Sequence, residues 1–374
     1  MDFSLSEEHQ LFRESIRRFL KERCHSGMLR ELESSDTGFS RALWNDMVAQ
    51  GWTGVIVPER NGGSGLGFLD LGLLLEEIGR AAFDSPFSAN LMATLAILGS
   101  GSSPRTQRLL SDVAGGSVMV SPAIEELGVS YEPRFVTARA ERSADGFVVI
   151  GRKMFVPYAD VADLLLVLAR TGGAIGEEEG CSLLLVGRDS PGIRITRLQT
   201  IAPDRQFQVD FDRVVVAGDA VLGEVGAALR LLADVRRKCT ALTCAEMVGG
   251  AEHELEVTAA HVKQRVQFDR PLGSFQAVHH HLAEMYTLVQ QSRWTTYQAL
   301  DQLHRNRPAD REVAIAKAIS SDACQRVAAL AQQLHGGVGV DMANDLQFYF
   351  RRAKALELKF GPAAVQLRLL GELL

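Results

Sequence analysis

Two short stretches carry side chains suited to binding a phosphate and an aromatic ring. In "RVQFDRPLGSFQA", Arg265 ends a long helical pattern, Phe268 precedes a proline-glycine turn, and Gln276 lies in the next helix. A planar cation binds phosphate with paired hydrogen bonds, and an aromatic side chain packs against a flat ring. Alone, this stretch is more typical of an ordinary turn between two helices.

A second stretch, "QQLHGGVG", adds a glutamine and a glycine pair in the same helical region. Gly336 and Gly337 leave room for a ligand to approach the backbone N–H groups, and the pair also predicts the end of a helix. The two stretches together favour a site for a phosphate-bearing, aromatic ligand.

Three other motifs favour structural roles. The glycines of "GGSGLG", Gly62 to Gly67, lie among helices and not in the strand–turn–helix setting of a dinucleotide site, so they predict a loop. Successive residues His279 to His281 point in three directions on a helix, so no metal site is expected there. Cys239 and Cys244 do not share a helical face well and predict buried small residues.

Composition limits the classes of partner. The chain has 374 residues, 46% hydrophobic and 23% charged, which is typical of a globular protein with a large core. A net charge of -6 gives no general attraction to nucleic acids or anionic membranes. Five scattered cysteines without a CxxC pair, an acidic start "MDFSLSEEHQ" and no long apolar run together predict a cytoplasmic protein.

The elements that must position these residues fall into three predicted domains. Helical spacing over residues 1–116 predicts a helical domain, with Ser40 as a candidate N-cap. Short alternating runs over residues 117–225 predict a compact antiparallel β domain. Long helical patterns return over residues 226–374. The predicted fold class is α+β, mainly α, and a doubly wound sheet is disfavoured because strands and helices do not alternate.

The chain resembles the acyl-CoA dehydrogenase family of flavoproteins over nearly its whole length. The resemblance rests on "GWTGVIVPERNGGSGLG", "EEIGRAAF", "RVQFDRPLGSFQAVHHHLAEM", "QLHGGVGV" and "DLQFYFRRAK". It implies an N-terminal helical domain, a central antiparallel β domain and a C-terminal four-helix bundle. It also implies FAD as cofactor, an acyl-CoA substrate and an electron-transfer flavoprotein as redox partner.

The resemblance assigns the two stretches to the ADP part of an FAD seated mainly in a neighbouring subunit. The residues implied are Arg265, Gln267, Phe268, Gln276, Gln333, Gly336 and Gly337. Asp269 stands where the family usually has glycine, a change expected to stiffen the turn.

The family reaction needs a glutamate that removes the α-proton of the acyl-CoA while the β-hydride goes to the flavin. The usual position of that glutamate aligns with Ala343. The less common position falls near Cys239, between Lys238 and Thr240. Because neither position carries a carboxylate, no catalytic residue is assigned.

The segments that would contact the chain's own flavin ring also depart from the family pattern. The stretch "EELGVSYE", Glu125 to Glu132, has Leu127 in place of proline and Tyr131-Glu132 in place of Ser-Asp. In "FVP", Pro157 replaces a hydroxyl residue, although Phe155 can still cover a ring.

This combination resembles the subunit without catalytic glutamate of bacterial α2β2 acyl-CoA dehydrogenases, including those for steroid side chains. We therefore predict a partner subunit in lipid or steroid degradation that is inactive alone and completes the FAD site of a Glu-containing paralogue. Three alternatives stay open: a self-associating dehydrogenase with a relocated base (Asp341, Asp345 or Glu132), another flavin chemistry, and a flavin-free acyl-CoA-binding protein.

Overall fold

The computed structural model describes residues 5–128 and 131–373. A helical N-terminal part, a central sheet and a C-terminal helical bundle follow one another along the chain, which confirms the predicted fold class. Two sequence predictions extend beyond these ranges. The inspection for a signal peptide included residues 1–4, and the stretch aligned with the flavin loop includes Val129 and Ser130, all of which lie outside the described residues.

The N-terminal part is built from amphipathic and buried helices. They are α1 (Glu7–Arg23), α2 (Ser26–Ser34), α3 (Arg41–Ala49), α4 (Phe68–Arg80), α5 (Phe87–Gly99) and α6 (Pro104–Ala114). Ser40 caps α3 as predicted, because its hydroxyl accepts a hydrogen bond from the backbone N–H of Leu43. The 62–67 stretch forms a loop before α4, and a Cβ on Gly63 would lie 2.1 Å from the carbonyl oxygen of Val57. That glycine is therefore required by local packing.

A glycine-mediated crossing joins the N-terminal part to the bundle. Helix α7 (Ala228–Gln264) crosses α4 so closely that a Cβ on Gly79 would lie 1.9 Å from the carbonyl oxygen of Glu246. Reciprocally, a Cβ on Gly249 would lie 1.7 Å from the carbonyl oxygen of Glu76. Since no side chain fits at either position, the two backbones meet directly and hold α7 in a fixed place.

Eight strands form one central sheet within the described ranges. They are β1 (Val120–Ala123), β2 (Arg139–Ser143), β3 (Gly146–Pro157), β4 (Leu164–Arg170), β5 (Cys181–Gly187), β6 (Ile193–Leu198), β7 (Gln206–Ala217) and β8 (Val221–Leu222). Their order is β6-β7-β3-β2-β4-β5-β8, with β1 paired to β4.

The sheet is mixed, since most of its ladders are antiparallel, as predicted for this domain, and others are parallel. Strand β1 runs parallel to β4, and β2 meets β4 in parallel through Arg139 and Arg170. The remaining ladders are antiparallel. A parallel pair needs a long connection, and the chain between β1 and β4 supplies one because it contains the whole β2–β3 hairpin.

The C-terminal part packs long helices side by side. They are α7, α8 (Gln276–His304), α9 (Asp310–His335), α10 (Leu346–Leu358) and α11 (Ala363–Glu372). Helix α8 runs antiparallel to both α7 and α9, so α7 and α9 end on the same side of the bundle. Helix α9 ends at His335 with Gly336 as its C-cap, as the glycine pair predicted, and the positive φ of 63° at Gly336 favours glycine there.

The five cysteines, all within the described ranges, are free thiols and buried. Burial raises the pKa of the Cys239 thiol to about 12 and that of Cys244 to about 11, so both behave as small apolar groups. Among the described residues, no helix is long and apolar enough to span a membrane.

Candidate cofactor site and base position

The segment after α7 forms a two-residue hairpin that points away from the bundle. Strands β9 (Val266–Gln267) and β10 (Arg270–Pro271) pair antiparallel, with Phe268 and Asp269 at the tip. Their φ values are 55° and 63°, which matches a tight hairpin that favours Gly, Asn or Asp at both positions. Asp269 tolerates this backbone well, whereas Phe268 is strained and 80% exposed. A strained, exposed aromatic side chain is typical of a contact surface.

Two stacked histidines bring the two ligand-binding stretches together. The rings of His261, near the end of α7, and His335, the last residue of α9, lie 4.2 Å apart with an interplanar angle of 22°. Burial lowers the pKa of His261, and the nearby His335 and Arg265 lower it further. Arg265 and the Gln333–Gly337 turn therefore lie at the same end of the bundle.

The glycine pair leaves an open recess. A Cβ added to Gly336 or Gly337 would meet nothing within 4 Å. Gly336 needs glycine for its backbone, since its φ is 63° and its ψ is -142°. Gly337 has no such requirement, so neither backbone strain nor packing within this chain explains its lack of a side chain. This recess fits a phosphate-bearing group that approaches from outside the chain.

The residues predicted to contact the cofactor share one property. All seven are exposed in the single chain: Arg265, Gln267, Phe268, Gln276, Gln333, Gly336 and Gly337. A ligand that they contact together would sit outside this chain's own surface.

The structure places Ala343, the predicted base position, on the N-terminal helices. The Arg30 guanidinium of α2 donates to the carbonyl oxygen of Ala343 at 2.6 Å and pairs with Asp345 at 2.7 Å. Asp341 accepts from the backbone N–H of Ala343 at 2.9 Å. Two of the three candidate relocated bases, Asp341 and Asp345, are thus engaged in local contacts.

Cys239, the alternative base position, lies elsewhere and faces a different residue. Cys239 of α7 and Phe360, just after α10, belong to the same hydrophobic cluster. The Arg236 guanidinium, one turn before Cys239, lies 5.9 Å from the centre of the Phe360 ring. Ala343 is thus held beside α2, whereas the Phe360 ring lies beside Arg236 on the helix that carries Cys239.

The sheet meets the bundle at this same point. We call the region formed by Glu125, Tyr131, Arg236 and Phe360 the sheet–bundle junction. Arg236 pairs with Glu125 at 3.1 Å and donates to the carbonyl oxygen of Tyr131 at 3.3 Å. Burial raises the pKa of the Tyr131 phenol, and the charges of Glu125 and of Glu357 on α10 raise it further. The Tyr131 side chain thus lies between the sheet and the bundle.

Glu132, the third candidate base, is held between two cations. Its carboxylate pairs with Arg134 at 2.8 Å and with Arg368 of α11 at 3.4 Å. Arg368 lies on the bundle, so this pair also spans from the sheet to the helices. The Glu132 carboxylate is therefore engaged in ion pairs with both parts.

A buried ion pair that the sequence reasoning missed anchors the loop before Tyr131. Lys153 of β3 is fully buried and donates to Glu126 at 2.7 Å and to the carbonyl oxygen of Ile124 at 3.1 Å. Glu126 also accepts from Thr137, through its backbone N–H at 2.8 Å and its hydroxyl at 2.7 Å. Burial opposes ionisation of Glu126, but Lys153 and Thr137 outweigh it and lower the pKa. A lysine at a position of β3 that alternation assigns to the buried face is the signal that could have revealed this pair.

Phe155 and Pro157 occupy the end of β3 beside an irregularity in its pairing with β7. Phe155 has a φ of 53° and remains 51% exposed, so the irregularity turns its ring outward. The carbonyl oxygen of Pro157 accepts a hydrogen bond from the Ser121 hydroxyl at 2.5 Å. Pro157 therefore stabilises the sheet and presents no donor side chain.

The chain combines an N-terminal helical part, a central sheet and a C-terminal bundle, and an open glycine recess lies beside an arginine. Together these features define a three-part flavoprotein dehydrogenase. Family models confirm this class over most of the chain. The N-terminal domain of acyl-CoA dehydrogenase matches residues 6–117, the middle domain residues 123–214, and the C-terminal domain residues 238–374. The chain belongs to the acyl-CoA dehydrogenase family.

Individual relatives cover the chain from end to end. "Acyl-CoA dehydrogenase FadE27" of Mycobacterium tuberculosis is 30% identical over 99% of this chain and 98% of its own length. The "Tcur3481-Tcur3483 steroid ACAD G363A variant" is 32% identical with a TM-score of 0.88, over 99% of this chain and 98% of its own. The ChsE4-ChsE5 complex of Mycobacterium tuberculosis is 29% identical with a TM-score of 0.90, over 100% and 98%.

The cofactor prediction is confirmed at the level of the family. A solved structure described as an FAD-dependent dehydrogenase is 25% identical with a TM-score of 0.90, over 100% of this chain and 99% of its own. FAD is the cofactor of the family to which this chain belongs.

Proposed function

We propose that this chain is the subunit without a catalytic base in a heteromeric FAD-dependent acyl-CoA dehydrogenase. The complex would desaturate an acyl-CoA thioester, and the substrate class that we propose is a steroid side-chain CoA. An electron-transfer flavoprotein would be the oxidant. Two neighbours support this class, since one is a steroid enzyme named with two components and the other is a two-component complex.

One observation carries the proposal: in the part of the chain that the structure describes, the carboxylates beside the sheet–bundle junction are paired, Glu125 with Arg236 and Glu357 with Lys354. FAD supplies hydride acceptance in this chemistry, and the protein must supply a carboxylate for the α-proton. The facing residues on the bundle are Cys239 and Phe360, while Glu125 is paired with Arg236. We therefore assign the vacant base position to Phe360, in place of the Ala343 predicted from the sequence.

The other half of the proposal is that the chain completes a partner's cofactor site. The open recess at Gly336 and Gly337 and the exposed Arg265 suit contact with the ADP part of an FAD held by a Glu-containing paralogue. Gln267, Phe268, Gln276 and Gln333 would line the same contact.

Coexpression with such a paralogue tests both halves. The purified complex is expected to hold one FAD per heterodimer and to reduce a dye with acyl-CoA, whereas the chain alone stays inactive. Strong turnover by the chain alone, with one FAD per chain, would contradict the proposal. The same result would favour the self-associating alternative.

A glycine substitution separates cofactor contact from folding. Gly337→Ala adds a methyl group that meets nothing in this chain, so its melting temperature should match the wild type. In the complex it should weaken FAD binding at least about tenfold, because a displaced phosphate contact costs more than 1 kcal/mol. Gly172→Ala, which also meets nothing within 4 Å but lies in the loop between β4 and β5, is the matched control. Equal FAD affinity for both variants would remove the glycine pair from the site.

A further inference from the structure

The sheet–bundle junction is bridged by the protein's own side chains. We propose that Arg236, Glu125 and Tyr131 form an internal clasp that closes the chain's own cofactor cleft and replaces a cofactor as the link between sheet and bundle. This inference rests on the proposed function, because it explains how a subunit that carries no flavin of its own keeps its parts together.

Arg236 is the centre of the clasp. Its side chain is only 13% exposed and contacts three groups across the junction: the Glu125 carboxylate, the Tyr131 carbonyl oxygen and the Phe360 ring. Exposed ion pairs contribute little, but a largely buried arginine with several partners fixes the geometry more strongly. The anchor on the sheet side is rigid, since the carbonyl oxygen of Glu125 accepts a hydrogen bond from the Met154 N–H at 2.8 Å.

Tyr131 fills the space that Arg236 bridges. Its φ of 68° lies in the left-handed region, which costs a bulky residue on the order of 1 kcal/mol. The strain persists because the ring is partly buried near Glu125, Arg236 and Glu357. Arg368 and Glu132 add a second bridge at the edge, but Arg368 is about half exposed and contributes less.

Hydrogen exchange of the full-length chain tests the clasp directly. In Arg236→Ala, amides of peptides containing Tyr131 should exchange about fivefold faster, as expected for the loss of roughly 1 kcal/mol of local stability. Arg236→Lys should give an intermediate rate, because it keeps the charge but not the paired donors. Arg237→Ala is the matched control, since Arg237 pairs within the bundle with Asp234 and Asp310.

Cofactor titration supplies a second readout. The wild-type chain should not quench the fluorescence of added FAD. The double variant Tyr131→Ser with Arg236→Ala should quench it, because it should bind FAD measurably. If the amide exchange rates of Arg236→Ala equal those of wild type, the clasp is refuted. This holds even if the complex contains one FAD per heterodimer. Two FAD per heterodimer, with faster exchange in Arg236→Ala, overturns the proposed function and leaves the bridge itself intact.

Discussion

Replacing Lys153 with methionine should destabilise the protein strongly. Lys153 is fully buried, and its ammonium group donates to Glu126 and to the carbonyl oxygen of Ile124. Methionine has a similar length but no charge, so the change leaves the Glu126 carboxylate buried without its cation. Because Glu126 lies one residue after Glu125, the loss should also loosen the sheet side of the junction.

The magnitude follows from the partners that remain. Removing one member of a buried ion pair costs about 3–5 kcal/mol. Glu126 keeps three other donors, the N–H and hydroxyl of Thr137 and the N–H of Ala138. We therefore expect a loss near the lower limit, about 3 kcal/mol.

The assay is urea unfolding at pH 8 and pH 5. Without Lys153, burial should raise the pKa of Glu126, so the variant regains stability relative to wild type as the pH falls and the carboxyl binds a proton. In wild type the pH dependence is opposite. The pKa of Glu126 is lowered, so the contribution of this carboxylate to stability is present above the ordinary pKa of glutamate and is lost in acid.

Two comparisons make the test specific. Arg152→Met changes the neighbouring residue on β3, whose side chain is 55% exposed and pairs with Asp210, and should cost less than about 1 kcal/mol. The double variant Lys153→Met with Glu126→Gln should recover part of the loss, because no buried charge remains. Two results for Lys153→Met would refute the reasoning. One is a loss of unfolding free energy smaller than that of Arg152→Met, and the other is a stability deficit relative to wild type that is larger at pH 5 than at pH 8.

Three further predictions concern the ligand-binding end and the base position. Gly336→Ala should lower the stability by about 1–2 kcal/mol because its backbone lies where only glycine is relaxed, and urea unfolding will measure this; a loss below about 0.5 kcal/mol would show that the turn adapts. The lowered pKa of His261 means that the histidine stack is stable above its ordinary pKa of about 6.5 and weakens as the pH falls. Hairpin amides should therefore lose protection, measured against their intrinsic exchange rate, at pH 5.5 in wild type but not in His261→Gln. Phe360→Glu should leave the chain alone inactive in a dye-reduction assay, because Arg236 would pair with the new carboxylate; turnover would contradict a closed junction.

Much of the fold was predictable because it follows from local patterns. Helical spacing and the Ser40 cap are set by neighbours in sequence, and the glycine pair ends α9 at Gly336 as predicted. The parallel pairing of β1 with β4 was not predictable in the same way. A strand's own pattern does not reveal which distant strand it will meet after an intervening hairpin.

The base position shows why a motif alone is insufficient. Ala343 and Phe360 both lie in the C-terminal part after the glycine turn, and spacing along the chain does not show which one faces α7. The contacts distinguish them: Ala343 is held by Arg30 of α2, and the Phe360 ring lies 5.9 Å from the Arg236 guanidinium of α7, which supports the proposed assignment. The Lys153–Glu126 pair was missed for a related reason, since a charge in a strand reveals its partner only in three dimensions.

Backbone strain gives an independent view of the junction. Tyr131, Phe155 and Phe360 have φ values of 68°, 53° and 60°, in a region that bulky side chains rarely adopt. All three are aromatic, and they lie in the loop before β2, at the end of β3 and just after α10. Local propensity does not favour these conformations, so the surrounding fold must impose them. The backbone at these three positions is therefore set by the fold, and the side chains they carry decide what the region presents. This is how one fold can carry either a catalytic cleft or, as we propose here, a closed one.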